Sequence, residues 1–350
     1  MRHVAPLPTR CARPTIGGIS AYTVLGFTGY GVASVAAALL MWIWQLTLAD
    51  RLIAMLAPPI AFLAIVTVTR RAVGYERIVF YQTAVAAVAA VALTSMAAGA
   101  HTERLVDVAT LGVGVFLVFG RIGCFSVACC HGRPARFGVV YGMEHARLGF
   151  WSRWVGRRLW PVQLVESAIS LGLVFAALVV GWSRPGEPAL IYIVGYGIAR
   201  FVLELQRGDA ARPHRLGISE AQWTATATLV ACAIWQPGLV TVAAAAGLSV
   251  VLAALAGRAQ RRVLTQAPHL LEIDRACRSL RRGTTEEKRE TSLGVAVSCH
   301  ALPDGRRDWV LSAQHPAWSM TVARRIAADL WPSAEFVEGR IAGVAHVIEP

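Results

Sequence analysis

The sequence predicts an all-α integral membrane protein: a bundle of seven transmembrane helices, eight if the last apolar stretch divides, followed by a small C-terminal α+β soluble module. Three observations predict it. Apolar residues make up 55% of the 350 and charged residues only 16%, a membrane composition. Residues 15–49 contain no charged side chain at all. Apolar runs also recur at the length of about 20 residues that a helix needs to cross the hydrocarbon core.

The runs at 18–45, 52–69, 78–100, 108–129, 161–182 and 188–206 meet or approach that length. The third contains "AVAAVAAVALTSMAAGA", whose small side chains let helix backbones approach closely. From Gly217 to Gly257 the only charge is Glu220. A single helix of that length would reach about twice the bilayer core at ~1.5 Å per residue, and the "QPG" at 236–238 marks a turn in its middle. Ahead of the first span, "MRHVAPLPTRCARPTIGG" has arginines but no apolar stretch, so no cleavable signal peptide is expected.

Composition changes near Arg258. The transmembrane domain is expected over 1–257, a charged linker with a short amphipathic helix over 258–290, and the module over 291–350. In the last, "LGVAVSCHAL", "PDGR" and "DWVLSAQ" read as strand, turn and strand, "WSMTVARRIAADLWP" as a helix and "GRIAGVAHVI" as a further strand. His300, His315 and His346 lie there and are assigned no chemistry.

The net charge of +13 is almost wholly arginine, with Lys288 the only lysine. These arginines are spread through short loops between spans, where anionic lipid is the nearer partner; no nucleic acid is expected. The seven cysteines do not follow the spacing of a disulfide framework.

Charges inside the spans carry the functional argument, because an Arg or Asp at the centre of a transmembrane helix costs about 2.5–3.5 kcal/mol on insertion scales. Arg121 falls near the end of the fourth span, Glu166 near the start of the fifth, and Arg200 and Glu204 inside the sixth with Arg207 a turn beyond. Positions 200, 204 and 207 share one helix face. The bland reading is a snorkelling end plus one Arg/Glu pair packed between helices. The functional reading is a polar pocket for an amphiphile with an anionic head, since guanidinium meets phosphate in a bidentate fork. Carboxylates beside it either orient the arginines or handle protons.

In "GRIGCFSVACCHGRP" (120–134), Cys124, Cys129, Cys130 and His131 have no second ligand pair at zinc spacing, so no metal and no cofactor is expected. Cys129 or Cys130, near Arg133, can be read as a reactive thiol or as a small apolar loop residue.

"GRIGCFSVACCHGRP", "WPVQLVES", "YGIARFVLELQRGD" and "LGISEAQW", in that order, resemble the prolipoprotein diacylglyceryl transferases, in particular a divergent, cysteine-bearing branch. The likeness covers roughly residues 14–235. It implies a multi-pass protein of the bacterial plasma (inner) membrane that moves the diacylglyceryl group of phosphatidylglycerol, or a related anionic phospholipid, to the thiol of a lipobox cysteine in a prolipoprotein signal peptide, releasing glycerol phosphate. It implies that Arg121 and Arg200 hold the phosphate, that Glu204 and Arg207 complete the sixth-span motif, and that Tyr22, Gln163 and Glu166 bind substrate beside Arg133 and Cys124. Two positions depart from the family. Tyr81, in "VFYQTAV", stands where the family carries a catalytic histidine, with Gln82 and Thr83 at its glycines. Cys124 and Cys129 replace the Asn and Glu of its signature. A non-catalytic lipid-binding protein, or a membrane transferase using the thiol of Cys129 or Cys130, are the other readings. Arginine is concentrated in the loops on the side of residues 130–160, which the positive-inside rule assigns to the cytoplasm, whereas the resemblance implies an outward-facing site.

Overall fold

The structure, a computed structural model, describes residues 15–73, 80–146, 150–209, 214–257, 263–282 and 288–350. Cys11 and the N-terminal arginines lie outside the described residues, as do the first residues of the expected linker, 258–262. The chain divides into two compact units: residues up to 207 with 221–250, and 208–220 with 251–350.

The first unit holds helices α1 (Ala21–Ile43), α2 (Leu48–Val73), α3 (Phe80–Ala97), α4 (Thr102–Ser126), the one-turn α5 (Met143–Ala146), α6 (Val162–Val180), α7 (Glu187–Leu205), α8 (Glu220–Trp235) and α9 (Leu239–Gly257). Seven of them are long and apolar enough to cross a membrane. The expected turn at 236–238 does separate α8 from α9. With 16 residues, α8 falls short of the about 20 needed for a full crossing. Large apolar side chains such as Phe27, Ile60, Leu63, Phe175, Ile234 and Val250 point outward, which water would penalise and lipid does not.

Helix α4 is the hub, packing against α1, α2, α3, α6 and α7. Its small residues make that possible. A Cβ on Gly114 would stand 2.6 Å from Tyr192 Cε2 and 2.7 Å from Val174 Cγ2, so α6 and α7 close onto bare backbone there. Ser167 and Ser170 of α6 donate to the carbonyls of Val118 and Gly114, each at 2.9 Å, the hydrogen-bonded helix contact that lipid favours. At the other end of the bundle, Asp107 of α4 accepts from the backbone N–H groups of Gly186 and Ala189 at 2.9 Å, capping the start of α7. Asp50 likewise accepts from the N–H groups of Thr47 and His101.

Between α4 and α6 the chain forms a folded cap. Strand β3 (Pro134–Val140) pairs antiparallel with β4 (Arg158–Leu159) over a cluster of Ala128, Tyr141, Phe150, Trp154 and Leu159. A short hairpin, β1–β2 (Thr15–Ile16, Ile19–Ser20), precedes α1, and another, β5–β6 (His214–Arg215, Ile218–Ser219), which belongs to the second unit, precedes α8.

In the second unit, strands β7 (Arg289–Glu290), β8 (Val295–Ala301), β9 (Arg307–Ala313), β10 (Glu335–Glu338) and β11 (Val344–Glu349) form one sheet in the order β10-β11-β9-β8-β7, with every pairing antiparallel. Helix α10 (Ala267–Arg282) packs on β8, and α11 (Met320–Leu330) on β10 and β11. Register puts Val297, Leu311 and Ala345 side by side on the buried face. Helix α10 lies in the stretch read as a linker and clusters with the sheet. Its Leu270, Ile273 and Cys277 are buried at helical spacing, which anchors an otherwise charged segment. His269 is buried, its Nδ1 2.7 Å from the Leu264 carbonyl and its Nε2 2.9 Å from Thr291 Oγ1, and burial holds its pKa below the usual histidine value.

Gly114→Val should lower the thermal stability of the detergent-purified protein by about 1–3 kcal/mol through overpacking, whereas Gly112→Val, whose Cβ meets nothing within 4 Å, should melt near wild type. The His269 ring is kept neutral, so the unfolded chain binds the extra proton, and stability falls as pH drops below about 6.5. Hydrogen-exchange protection of β8 and β9 in the full chain, corrected for intrinsic rates, should decline over that window and become flatter with pH in His269→Gln.

Candidate functional site

Alternating spans bring the starts of α1, α3 and α6 and the ends of α4 and α7 to the same side of the bundle, and the residues named from the sequence converge there. Arg121 lies five residues before the end of α4 and Arg200 five before the end of α7, or about 7–8 Å along each axis. Glu166 is in the first turns of α6. All three are buried at 7%, 5% and 1% exposure, so each charge needs a protein partner.

They find one another. Arg121 Nη2 lies 2.8 Å from Glu166 Oε1, and Arg200 Nε lies 3.7 Å from the same oxygen. Tyr196, one turn before Arg200, donates to it at 2.7 Å. Arg200 Nη1 continues to Glu204 Oε2 at 2.7 Å, and Arg207 Nη1 reaches that oxygen at 3.9 Å. Three guanidiniums and two carboxylates from α4, α6 and the α7 segment thus form a single chain of charge. The stripe at 200, 204 and 207 is one side of a three-element cluster, which takes it beyond one Arg/Glu pair.

Tyr81 of α3 joins it. Its ring meets Tyr196 edge-on with centroids 5.5 Å apart, and Tyr196 stacks on Tyr192, whose hydroxyl is 2.7 Å from Ser170 Oγ. Tyr196 and Tyr192 are absent from the sequence reading. The signal was available: Tyr196 falls four residues before Arg200, on the charged face.

The remaining residues form a second patch beside the first. After α4 the backbone takes positive φ at Ala128 (55°) and Cys130 (58°), and Cys129 N donates to the Cys124 carbonyl. This fold brings the sulfurs of Cys124, Cys129 and Cys130 within 4.8 Å of one another. Tyr22 sits over Gly123 in the electrostatic range of all three thiols and of Arg121. Gln163 is buried and donates from Nε2 to the Cys129 carbonyl at 2.7 Å, so it anchors the cysteine loop. Arg133 is exposed, with Nε donating to the Arg207 carbonyl at 3.2 Å. Gly132 has no room for a Cβ, which would meet the Trp160 carbonyl oxygen at 2.3 Å. The "GRP" strip is therefore clamped between Trp160 and the end of α7.

A multi-pass helical membrane protein with a buried arginine–carboxylate cluster at one end of its bundle is the class that fold and site define. Residues 72–237 match the family described as Prolipoprotein diacylglyceryl transferase, so the resemblance read from the motifs holds over that stretch, which contains every residue of the cluster. One curated relative, "Phosphatidylglycerol--prolipoprotein diacylglyceryl transferase" of Clostridium tetani, is 30% identical over 110 residues, 30% of this chain and 42% of its own length. Another, "Phosphatidylglycerol--prolipoprotein diacylglyceryl transferase 2" of Clostridium perfringens, is 26% identical over 135 residues, 37% of this chain and 50% of its own. The chain thus spans half or less of the curated relatives it matches. No solved structure shows a significant match.

Removing one member of a buried ion pair strands the other. Glu166→Gln should therefore cost about 3–5 kcal/mol of stability, measured by thermal unfolding in detergent. The Arg121→Gln/Glu166→Gln double variant should recover part of that loss.

Proposed function

We infer that this protein is a bacterial plasma-membrane transferase that takes a diacylglyceryl group from phosphatidylglycerol, or a related anionic phospholipid, to the thiol of a lipobox cysteine. The observation that carries the reading is the convergence of Arg121 and Arg200 on Glu166, inside a region of diacylglyceryl transferase type. Both curated relatives carry phosphatidylglycerol and prolipoprotein in their names.

In this reading the acceptor sulfur attacks the diacylglyceryl carbon, a C–S bond forms, and the C–O bond to phosphate breaks with its electron pair leaving as glycerol phosphate. Charge therefore grows on the phosphate oxygens in the transition state, and fixed guanidiniums stabilise it most when they need no reorganisation. Glu166 and Glu204 supply that fixity by holding Arg121, Arg200 and Arg207. A phosphate entering the site would meet guanidinium N–H groups that the carboxylates leave unpaired among the described residues, Arg121 Nε among them. The thiol proton leaves to water or to a carboxylate of the cluster; Oε2 of Glu166, buried and without a hydrogen-bond donor among the described residues, is one acceptor there. Tyr81 stands where the resemblance implies a histidine. A phenol with an ordinary pKa near 10 stays protonated at neutral pH, so its part is to donate a hydrogen bond.

That same tyrosine favours a second reading, a membrane protein that binds the anionic lipid without transferring it. Purified full-length protein, phosphatidylglycerol and a lipobox peptide separate the two by mass spectrometry. Transfer is expected as a peptide mass gain of one diacylglyceryl group. Arg121→Ala and Arg200→Ala should each reduce it about a hundredfold or more and weaken retention of phosphatidylglycerol. Lipid binding with no transfer establishes the binder. Retention unchanged in both arginine variants overturns the phosphate assignment. Loss of transfer in Cys129→Ser with lipid binding intact would move the nucleophile to that thiol.

A further inference from the structure

Spacing alone predicts no metal near Cys129 and Cys130, because the sequence has no second ligand pair at a fixed offset. The fold supplies a third ligand differently. Cys124 is on the last turns of α4, and the chain doubles back through two residues of positive φ, so that all three sulfurs lie within 4.8 Å of one another. All three are free thiols and half-buried. Gln163 pins the loop through the Cys129 carbonyl at 2.7 Å, and the Cys129 N–H is fixed on the Cys124 carbonyl. The backbone that carries the three neighbouring sulfurs is thereby held in place.

We propose that Cys124, Cys129 and Cys130 form a trigonal thiolate site for a soft, monovalent thiophilic cation of the copper(I) type. Metal–sulfur bonds of about 2.3 Å in a plane put the sulfurs about 4 Å apart, so closing the triangle moves no sulfur by more than about 1 Å. Zinc fits less well. Its structural sites take four protein ligands, and among the described residues no other Cys, His, Asp or Glu joins the group, so zinc would have to complete its tetrahedron with water, whereas three-coordinate copper(I) needs no fourth ligand. His131, next in sequence, turns its Nδ1 to the Gly132 carbonyl at 2.8 Å. Thiolate ligands select copper(I) among soft ions. Charge is partly met as well: three thiolates around one monovalent cation leave two negative charges, and the neighbouring cluster carries three guanidiniums against two carboxylates. Binding displaces thiol protons to solvent and involves no change of oxidation state.

The test is titration of reduced, anaerobic, full-length protein in detergent with copper(I) buffered by a chromogenic chelator. One equivalent should be withdrawn from the chelator, with thiolate-to-copper charge-transfer absorption appearing in parallel. Cys124→Ser, Cys129→Ser and Cys130→Ser should each weaken binding at least tenfold, while Cys232→Ser and Cys299→Ser should not change it. Should a serine variant fail to fold, alkylation of the wild-type protein followed by peptide mass spectrometry gives the same answer, since one equivalent of copper(I) should shield these three cysteines together. Three outcomes overturn the site: no copper withdrawn, affinity indifferent to the three serines, or zinc(II) bound as tightly as copper(I). None of these readouts involves lipid transfer, so the proposal and the transferase reading stand or fall separately.

Discussion

Glu166 places a carboxylate between Arg121 of α4 and Arg200 of α7, and the bundle around it is arranged so that neither guanidinium has to face hydrocarbon. A buried carboxylate and a buried guanidinium are each costly alone and tolerable together. Fixing the pair also fixes which faces of α4, α6 and α7 turn inward. The serine-to-carbonyl bonds from α6 to α4 and the close approach at Gly114 follow the same seam. Charge and packing therefore specify one helix arrangement in common, where apolar side chains in an apolar solvent would specify little.

The two ends of the bundle use their acidic residues differently. Asp107 and Asp50 at one end accept from backbone N–H groups and cap helix starts, with Arg104 and His101 beside them. Glu166 and Glu204 at the other are occupied by arginine side chains. A carboxylate that caps a helix fixes one backbone end, whereas one bound to guanidinium ties together side chains of different helices.

The cysteine loop and the folded cap extend the site beyond the helices. Aromatic packing among Tyr141, Phe150 and Trp154 makes a stretch rich in arginine into a structured cap built on β3 and β4. Through Gln163 that segment is tied to the same turn of α6 that presents Glu166. The thiol patch and the charged cluster are neighbours of different chemical character, one of soft sulfur atoms and the other of guanidiniums and carboxylates.

Composition and run length by themselves determined that the chain is a multi-span helical protein, because hydrocarbon thickness sets a length that any sequence must meet. The helical period of 3.6 placed Arg200, Glu204 and Arg207 on one face, and β8, β9, α11 and β11 of the C-terminal module were legible from their alternation, whereas the short strands β7 and β10 were not, being too brief to show a period. What only the tertiary structure decided is which helices meet. No local rule says that Glu166 answers both Arg121 and Arg200, or that Tyr81 reaches the cluster through Tyr196, since those contacts join residues far apart in sequence. The sulfurs escaped the sequence for a related reason. Ligand spacing presumes a regular backbone, and positive φ at Ala128 and Cys130 folds the loop back to where spacing could not place it. Likewise α10, read as part of a linker by its charge, belongs with the sheet because three apolar side chains at helical spacing bury against it, a partnership that exists only once the sheet has formed.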